Sequence, residues 1–373
     1  MIKDVTEMKK EFNITGVCVP EINYMVDISD KITGIEEMVD KGYCFVISKP
    51  RQYGKTTILN ELSKKLNSRY VVLFVSFEAV SNKIFENEEN FSLGILKLLT
   101  DNLRMTPQKD VYEILSRHQE GVKDFDGLSI TISEFIDEIK KEVVLIIDEI
   151  DKNGNNGVFL KFLSLLRRKY LSKQMGKDIT FKSVILAGVY DIKNLSTTIK
   201  EEEEEIRFNS PFNIAMDFDI DISFSDKDIE TMLSQYVNEE KLTLNVEEMS
   251  RKLYEITSGY PYLVSKMAYI MDKKLQKKWD IEGLQEAIDI IISEKNPLFD
   301  YIIGIIERNS EIRNILKEIF VDGGIENFTP YVYEKAIIHG ILVERDGKLV
   351  IHNKIFEGII FNFLMDRERA QSE

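Results

Sequence analysis

The chain has 373 residues, a length that suggests two or three domains. Hydrophobic residues make up 43% of it and charged residues 30%, a balance that favours packed, soluble domains over disorder. The 49 basic and 64 acidic residues give a formal net charge of −15, which would repel a phosphate backbone, so nucleic acid is a possible but not a favoured partner.

The cysteines and the hydropathy pattern indicate a reducing compartment and no membrane partner. Cys18 and Cys44 are far apart in sequence, and no disulfide framework or metal-ligand spacing is visible. No run of 18 apolar residues occurs, and the first seven residues do not resemble a signal peptide. We therefore expect a cytoplasmic protein.

Residues 1–42 form a lead-in that we expect to pack on the core. Residues 32–39 have apolar positions at helical spacing. A segment just before the first core strand can pass over the base of a nucleotide, and the candidate is the stretch from Tyr24 to Asp27. A simple packing role for Tyr24 is the alternative.

The stretch from Tyr43 to Leu59 has the pattern of a phosphate-binding loop. An apolar run precedes a tight loop that ends in Gly54-Lys55-Thr56, and a helical pattern follows. In such a loop, backbone N–H groups and the positive end of the helix dipole bind phosphates. Lys55 would reach the β- and γ-phosphates, and the Thr56 hydroxyl would hold Mg²⁺. The predicted nucleotide-binding residues are Pro50, Arg51, Gln52, Tyr53, Gly54, Lys55, Thr56 and Thr57.

This loop departs from the full pattern at one position. Lys49 stands where the pattern has glycine, so an ordinary glycine-containing turn between a strand and a helix is the alternative.

Three further apolar runs of strand length predict an α/β fold. They lie at 70–76, 143–147 and 183–189, and the segment 83–141 between two of them is mostly helical in pattern. Continuous apolar runs are typical of strands covered on both faces, as in a parallel sheet.

Two acids, Asp148 and Glu149, end the apolar run that starts at Val143. Burying carboxylates at the end of an apolar strand is costly unless they have a function there. In a phosphate-loop enzyme, Asp148 would lie behind Mg²⁺ and its waters, and Glu149 would polarise the attacking water. The alternative is a strand that enters solvent through acidic residues.

Several polar residues after these acids are candidates for contacts with the γ-phosphate. Arg167 and Arg168 end a predicted helix at 158–171, where complementing the helix dipole is the simpler role. Tyr190-Asp191 follows the strand at 183–189. Arg207 follows the five glutamates 201–205, which predict a solvated loop and which it could simply neutralise. Residues 216–222 then alternate like an edge strand.

From Ser225 onward the pattern becomes helical, starting with a capping-type sequence. Further helices are predicted up to Asn296-Pro297, which marks a boundary. Beyond it, helices at 297–307, 310–320 and 333–339, a hairpin at Asp346-Gly347 and a last helix at 356–365 give the outline of a winged helix.

The sequence resembles the bacterial AAA-like ATPases near the STAND group of signal-transducing phosphate-loop NTPases. The motifs that carry the resemblance are 49–56, 143–151, 187–191, 209–215 and 351–356. It implies an ATPase core at 43–224 with sheet order 5-1-4-3-2, a helical lid at 225–296 and a winged-helix domain at 297–373. Gly259-Tyr-Pro261 resembles the lid motif that contacts the base, which makes Pro261 a candidate.

These features predict an ATP-binding, Mg²⁺-dependent ATPase that acts as a nucleotide-driven switch. Lys55 and Glu149 are the predicted catalytic residues, with Arg167 or Arg207 as arginine candidates, and Thr56 and Asp148 are the predicted metal ligands. The expected partners are an unidentified protein and, depending on nucleotide, further copies of the chain. The alternatives are a module that signals by nucleotide occupancy with little hydrolysis, and a DNA-associated ATPase that uses the winged helix.

Overall fold

The computed structural model describes residues 9–372 apart from positions 79, 105, 107, 154–155, 190–196, 202–203 and 209–213, and it gives the backbone alone for 152–153, 197–201, 204–208, 331 and 371–372. In chain order the strands are β1 (Glu11–Phe12), β2 (Asn23–Tyr24), β3 (Cys44–Ser48), β4 (Val71–Ser76), β5 (Val143–Asp148), β6 (Ser183–Gly188), β7 (Thr197–Glu201), β8 (Glu204–Phe208), β9 (Ile325–Glu326), β10 (Leu342–Arg345) and β11 (Lys348–Ile351). The helices are α1 (Ser29–Asp40), α2 (Lys55–Leu66), α3 (Glu88–Arg104), α4 (Lys109–Arg117), α5 (Phe125–Ile139), α6 (Gly157–Gln174), α7 (Asp226–Glu240), α8 (Val246–Thr257), α9 (Pro261–Tyr269), α10 (Ile281–Ser293), α11 (Pro297–Arg308), α12 (Ser310–Asp322), α13 (Pro330–Ile338) and α14 (Lys354–Ser372).

The chain folds into two compact units. The helical unit comprises Met1–Asp30, Pro50–Thr57 and Asp221–Glu373, and the sheet unit comprises Lys31–Lys49 and Ile58–Ile220. The described residues up to Asp30 therefore belong to the same unit as the C-terminal half, whereas the sequence predicts a lead-in over the whole of 1–42 that packs on the core. The four-part division of the chain stays a prediction.

The sheet unit is built on four parallel strands in the order β3-β6-β5-β4. Both β5 and β6 are buried along their whole length, as their continuous apolar sequences predict. The strand at Ser183–Gly188 therefore lies between the strand that precedes the loop and the strand that ends at Asp148. Ser48 pairs with Gly188 and Ser76 with Asp148, so all four strands end at one edge.

Two predictions for the end of the sheet unit need correction. The segment predicted as an edge strand at 216–222 makes, in its described residues, one parallel bridge from Met216 to Phe45 rather than a continuous strand. Of the glutamates predicted as a solvated loop, Glu201 is the last residue of β7, and Glu204 and Glu205 are the first residues of β8, which pairs with β7 in the antiparallel direction. The β-branched and aromatic residues on either side of the glutamates favour the strands.

The helical unit contains the first described strands and everything after residue 220. Strands β1 and β2 pair in parallel, and the rings of Phe12 and Tyr24 pack against Tyr236. Ser225 and Asp228 form the capping box expected at the start of α7. Towards the C-terminus, β9, β10 and β11 form a small antiparallel sheet in the order β10-β11-β9. Among the described helices, none is both long enough and apolar enough to cross a bilayer.

Candidate functional site

The predicted phosphate-binding loop follows β3 directly and turns sharply before α2 begins at Lys55. Gln52 has a φ of 55° and Gly54 a φ of 82°, so the chain adopts the left-handed conformation twice within three residues. Such turns direct successive backbone N–H groups towards one side and create an anion-binding concavity. A β-carbon on Gly54 would meet Pro261 at 3.9 Å, an ordinary contact, so glycine is required there for its conformation.

Lys55 is held inside the loop that it follows. Its Nζ donates a hydrogen bond to the carbonyl oxygen of Pro50 at 2.9 Å, and the residue is 6% exposed. Two residues along α2, the hydroxyl oxygen of Thr57 accepts a hydrogen bond from the backbone N–H of Cys18 at 3.2 Å. The hydrogen bond to Pro50 holds the ammonium group of Lys55 within the bend, where the sequence predicts that phosphates bind.

Aromatic residues from the C-terminal half pack on the loop. The hydroxyl of Tyr260 donates to the carbonyl oxygen of Arg51. The ring of Tyr53 lies edge-on to the ring of Tyr260, with centroids 4.9 Å apart. The hydroxyl of Tyr53 also lies 3.5 Å from Nε2 of His352, at the end of the hairpin β10–β11. The backbone carbonyl of Arg51 and the side chain of Tyr53 thus contact residues about 200 and 300 positions further along the chain.

Arg51 and Pro50 make a second set of contacts within the helical unit. The guanidinium of Arg51 lies 4.3 Å from the ring centroid of Tyr301, a cation–π geometry. The hydroxyl of Tyr301 lies 2.7 Å from Nδ1 of His339. Pro50 packs on Gly340, where an added β-carbon would lie 2.6 Å from the Cγ of Pro50. The loop conformation is therefore supported by α11, the end of α13 and the residues that follow it.

The two histidines beneath the loop are buried and neutral at physiological pH. Burial lowers the pKa of His339 to about 4, and the positive charges of Lys335 and Arg51 act in the same direction. Burial and the positive charge of Arg345 lower the pKa of His352 to about 4, although the negative charge of Asp221 acts in the opposite direction. Each imidazole can therefore accept or donate a hydrogen bond without adding a charge to the site.

The acids lie in the sheet unit, at the edge where the four strands end. Asp148 is fully buried as the last residue of β5, and its Oδ1 accepts a hydrogen bond from the backbone N–H of Glu149 at 2.9 Å. Glu149 has a φ of 58°, a rare conformation for a residue with a side chain. The turn at Glu149 starts where β5 ends, next to the end of the neighbouring strand β6, and β3 ends at the same edge of the sheet.

The structure places the other predicted residues as follows. Tyr24 is buried, and its ring packs against the rings of Phe12 and Tyr236, as expected for a residue with a packing role. Its contact with a nucleotide base stays a prediction. Arg168 pairs with Asp126 at 3.1 Å, whereas the half-buried Arg167 has its Nε buried without a hydrogen-bond partner among the described residues.

Some predicted residues fall in parts of the chain that the structure does not describe. The side chain of Arg207, on β8, is one of them, as are Tyr190 and Asp191 and most of the motif at 209–215.

Sequence reasoning missed the contacts that support the loop and the acids. His352 and Tyr260 lie in motifs that carry the resemblance, but no role follows for them from the sequence. Asp151 lies in the motif that contains Asp148 and Glu149, and its carboxylate accepts a hydrogen bond from the backbone N–H of Val189. The one signal available for Asp151 was its place in the run Asp148-Glu-Ile-Asp.

A loop of this shape directly after the first strand of a parallel sheet is typical of the phosphate-loop class of nucleotide-binding domains. The chain belongs to the AAA-like domain family, whose model matches residues 23–317. The search of curated proteins gave no match.

Two solved structures are similar to this chain at low sequence identity. A Walker-type ATPase of Pyrococcus abyssi has a TM-score of 0.61 and 13% identity, covering 94% of this chain and 99% of that chain. The ORC2 protein of Aeropyrum pernix, solved in ADPNP–ADP complexes, has a TM-score of 0.47 and 10% identity over 95% of this chain and 98% of its own. The likeness to the Pyrococcus abyssi protein shows an α/β fold with a parallel sheet and many helices.

Proposed function

We propose that the chain binds ATP with Mg²⁺, hydrolyses it and uses the nucleotide as a conformational switch. The observation that supports this most directly is the loop 50–57, with its two left-handed residues and its buried Lys55, placed directly after a strand of the parallel sheet. Membership of the AAA-like family supports the same function.

Each residue of the site has a role in this proposal. Lys55 binds the β- and γ-phosphates, and the N–H groups of the loop bind the remaining phosphate oxygens. Thr56 and Asp148 offer the hydroxyl and carboxylate oxygens that Mg²⁺ prefers, so this donor set fits the ion. When bound, Mg²⁺ neutralises charge that develops on the phosphate oxygens. Glu149 orients the attacking water and accepts its proton.

Arg167 is the better arginine candidate of the described residues. Its Nε is buried without a hydrogen-bond partner among them, whereas Arg168 pairs with Asp126. We propose that Arg167, or Arg207 from the same chain or a neighbouring copy, contributes positive charge to the γ-phosphate.

The finer classification also belongs to this proposal. The parallel bridge from Met216 to Phe45, on the side of β3 away from β6, supports a fifth position and hence the order 5-1-4-3-2. The sheet β10-β11-β9 with α12, α13 and α14 supports a winged-helix domain after a helical lid. We place the protein near the STAND group on these features and the motifs of the sequence.

The switch is supported by the packing of the C-terminal half on the loop. Arg51, Tyr53 and Pro50 contact Tyr301, Tyr260 and Gly340 from the C-terminal half. A rearrangement of the loop around phosphates would change these contacts, and a change in these contacts would alter the affinity of the loop for nucleotide, since such coupling is reciprocal.

Replacing Gly340 with alanine is expected to weaken both folding and nucleotide binding. The residue has a φ of 71°, which costs about 1–2 kcal/mol for alanine, and the new methyl would overlap Pro50, which adds about 1–3 kcal/mol. Displacing Pro50 would also move the carbonyl that accepts from Lys55. Thermal unfolding and calorimetric titration of Mg·ATP measure the two effects.

Gly347→Ala is the matched control for this change. Gly347 has a φ of 76° in the hairpin turn, and no atom lies within 4 Å of an added β-carbon. It should therefore lose only the conformational part of the stability and keep its affinity for Mg·ATP. Equal nucleotide affinities in the two variants would mean that Pro50 and Gly340 do not support the loop.

The experiment that tests the proposed function is titration of Mg·ATP into the wild-type chain and into Lys55→Ala. The wild type should bind and Lys55→Ala should not, because the buried ammonium of Lys55 lies within the bend and is the group proposed to bind the β- and γ-phosphates. Lys64→Ala, on the exposed side of the same helix α2, is the control and should bind like the wild type. Unchanged binding by Lys55→Ala would reject the assignment of the loop.

A further inference from the structure

A third carboxylate, Asp151, lies just after the predicted catalytic acids and has no role in the chemistry described so far. Asp151 belongs to a short 3₁₀ helix, Ile150–Asn153, that follows β5. Its Oδ1 accepts a hydrogen bond from the backbone N–H of Val189, the residue that follows β6. The carboxylate therefore links the end of β5 to the end of the neighbouring strand.

The space for this carboxylate is created by a glycine. A β-carbon on Gly188 would overlap Oδ1 of Asp151 and would lie 2.8 Å from Cγ1 of Ile150. Gly188 is not among the glycines with a positive φ, so glycine is needed here for space and not for conformation. Gly188 and Asp151 thus form a matched pair in which the backbone of β6 admits the acid.

The peptide between Gly188 and Val189 is also held from the side of β3. The backbone N–H of Lys49 donates to the carbonyl oxygen of Gly188, in this peptide, at 3.1 Å, and the hydroxyl of Ser48 donates to the next carbonyl oxygen, that of Val189, at 2.7 Å. Ser48 and Lys49 are the residues at which β3 passes into the phosphate-binding loop. This one peptide therefore connects the start of the loop with the turn that carries the acids.

Glu149 lies between the two fixed ends of that turn. Asp148 before it is the last residue of β5, and Asp151 after it is bonded to Val189. The left-handed backbone of Glu149, with a φ of 58°, costs free energy and persists only where the neighbouring residues hold it. The direction of the Glu149 side chain thus depends on the attachment of Asp151.

We infer that Asp151 is a positioning residue for ATP hydrolysis. By bonding to the peptide of Gly188 and Val189, it fixes the turn that presents Glu149 at the same edge of the sheet as Ser48 and Lys49. Asp151 acts through Glu149 and does not itself touch the nucleotide. The inference rests on the proposed ATPase function.

The test is a comparison of turnover and nucleotide binding in Asp151→Ala and Asp151→Asn. Misplacement of a catalytic group by an ångström costs about 10²-fold in rate, so kcat of Asp151→Ala should fall by about 10-fold to 10²-fold. Its Kd for Mg·ATP should stay within about twofold, because no phosphate contact is lost. Asp151→Asn keeps an oxygen that accepts from Val189 and should recover most of the rate.

A double variant separates positioning from an independent effect. In a Glu149→Gln background, Asp151→Ala should cause no further loss of kcat, because its effect passes through Glu149. Additive losses, or a kcat of Asp151→Ala equal to that of the wild type, would overturn the inference and leave the ATPase function standing. A wild type without turnover would overturn both.

A second variant tests the same linkage if Asp151→Ala fails to fold. Ser48→Ala removes the hydrogen bond that holds the carbonyl oxygen of Val189 from the side of β3, and it should also lower kcat, by a smaller factor. Thermal unfolding identifies variants that are folded. Folded Ser48→Ala with unchanged kcat would contradict the linkage between the end of β3 and the acids.

Discussion

Glu149→Gln is expected to lower the turnover of ATP by about 10²-fold to 10⁴-fold, the usual contribution of a positioned general base. Glutamine keeps the size of the side chain but cannot accept a proton from water. Binding of Mg·ATP should be retained, since Lys55 and the N–H groups of the loop are unchanged. The measurement is phosphate release under saturating Mg·ATP, next to a titration that reports the Kd.

Glu142→Gln is the control for this variant. Glu142 lies just before the start of β5, at the end of the strand opposite to Asp148, and forms an ion pair with Lys182 at 3.1 Å. Glu142→Gln therefore removes an acid next to the same strand but away from the site. Its turnover should match the wild type. If Glu149→Gln hydrolyses ATP at the wild-type rate, Glu149 is not the base. If the wild type binds Mg·ATP but releases no phosphate, the chain acts through nucleotide occupancy alone.

Between pH 7 and pH 5, the free energy of unfolding is expected to decrease, because burial disfavours protonation of the two histidines beneath the loop in the folded chain. Their pKa values are about 4 in the folded chain, against about 6.5 in an unfolded one. The unfolded chain therefore binds more protons in this interval, and stability decreases as the pH falls. Because His339 is 3% exposed and His352 is 6% exposed, each should contribute about 2 kcal/mol to the loss at pH 5.

Urea denaturation at pH 7 and pH 5 measures this loss. His352→Gln places a neutral side chain beneath Tyr53 and removes one of the two titrating groups. Whatever its stability at pH 7, this variant should lose about 2 kcal/mol less than the wild type on acidification. Equal losses in the two proteins would show that His352 is not held neutral by burial.

The same histidines link acidity to nucleotide binding. His352 contacts Tyr53, and His339 contacts Tyr301 beneath the guanidinium of Arg51, so a charge on either imidazole would disturb a side chain of the loop. Weaker binding of Mg·ATP at low pH is thus expected before the chain unfolds.

The strands and the turn between β3 and α2 were predictable because each depends on residues that are close together in sequence. The apolar runs that become β4, β5 and β6 are long enough to identify without a structure. Gly54-Lys55-Thr56 indicates a phosphate-binding loop only because an apolar strand precedes it. The same local patterns predicted most of the helices of the C-terminal half.

The contacts that support the site could not be read from the sequence, because they join distant residues of ordinary type. Tyr53 and His352 are 299 positions apart, and Asp151 and Val189 are 38 apart. A tyrosine beside the loop predicts neither a histidine partner nor its burial. The requirement for glycine at 188 arises from the carboxylate of Asp151, which only the register of β5 and β6 brings there.

The most direct test of the whole account is the amount of phosphate that the purified chain releases from Mg·ATP over time, measured beside Lys55→Ala. We predict sustained release beyond one phosphate per wild-type chain, dependence on Mg²⁺, and none above background from Lys55→Ala. Release at equal rates from the two proteins, or no release from a wild type that is folded and supplied with Mg·ATP, would contradict it.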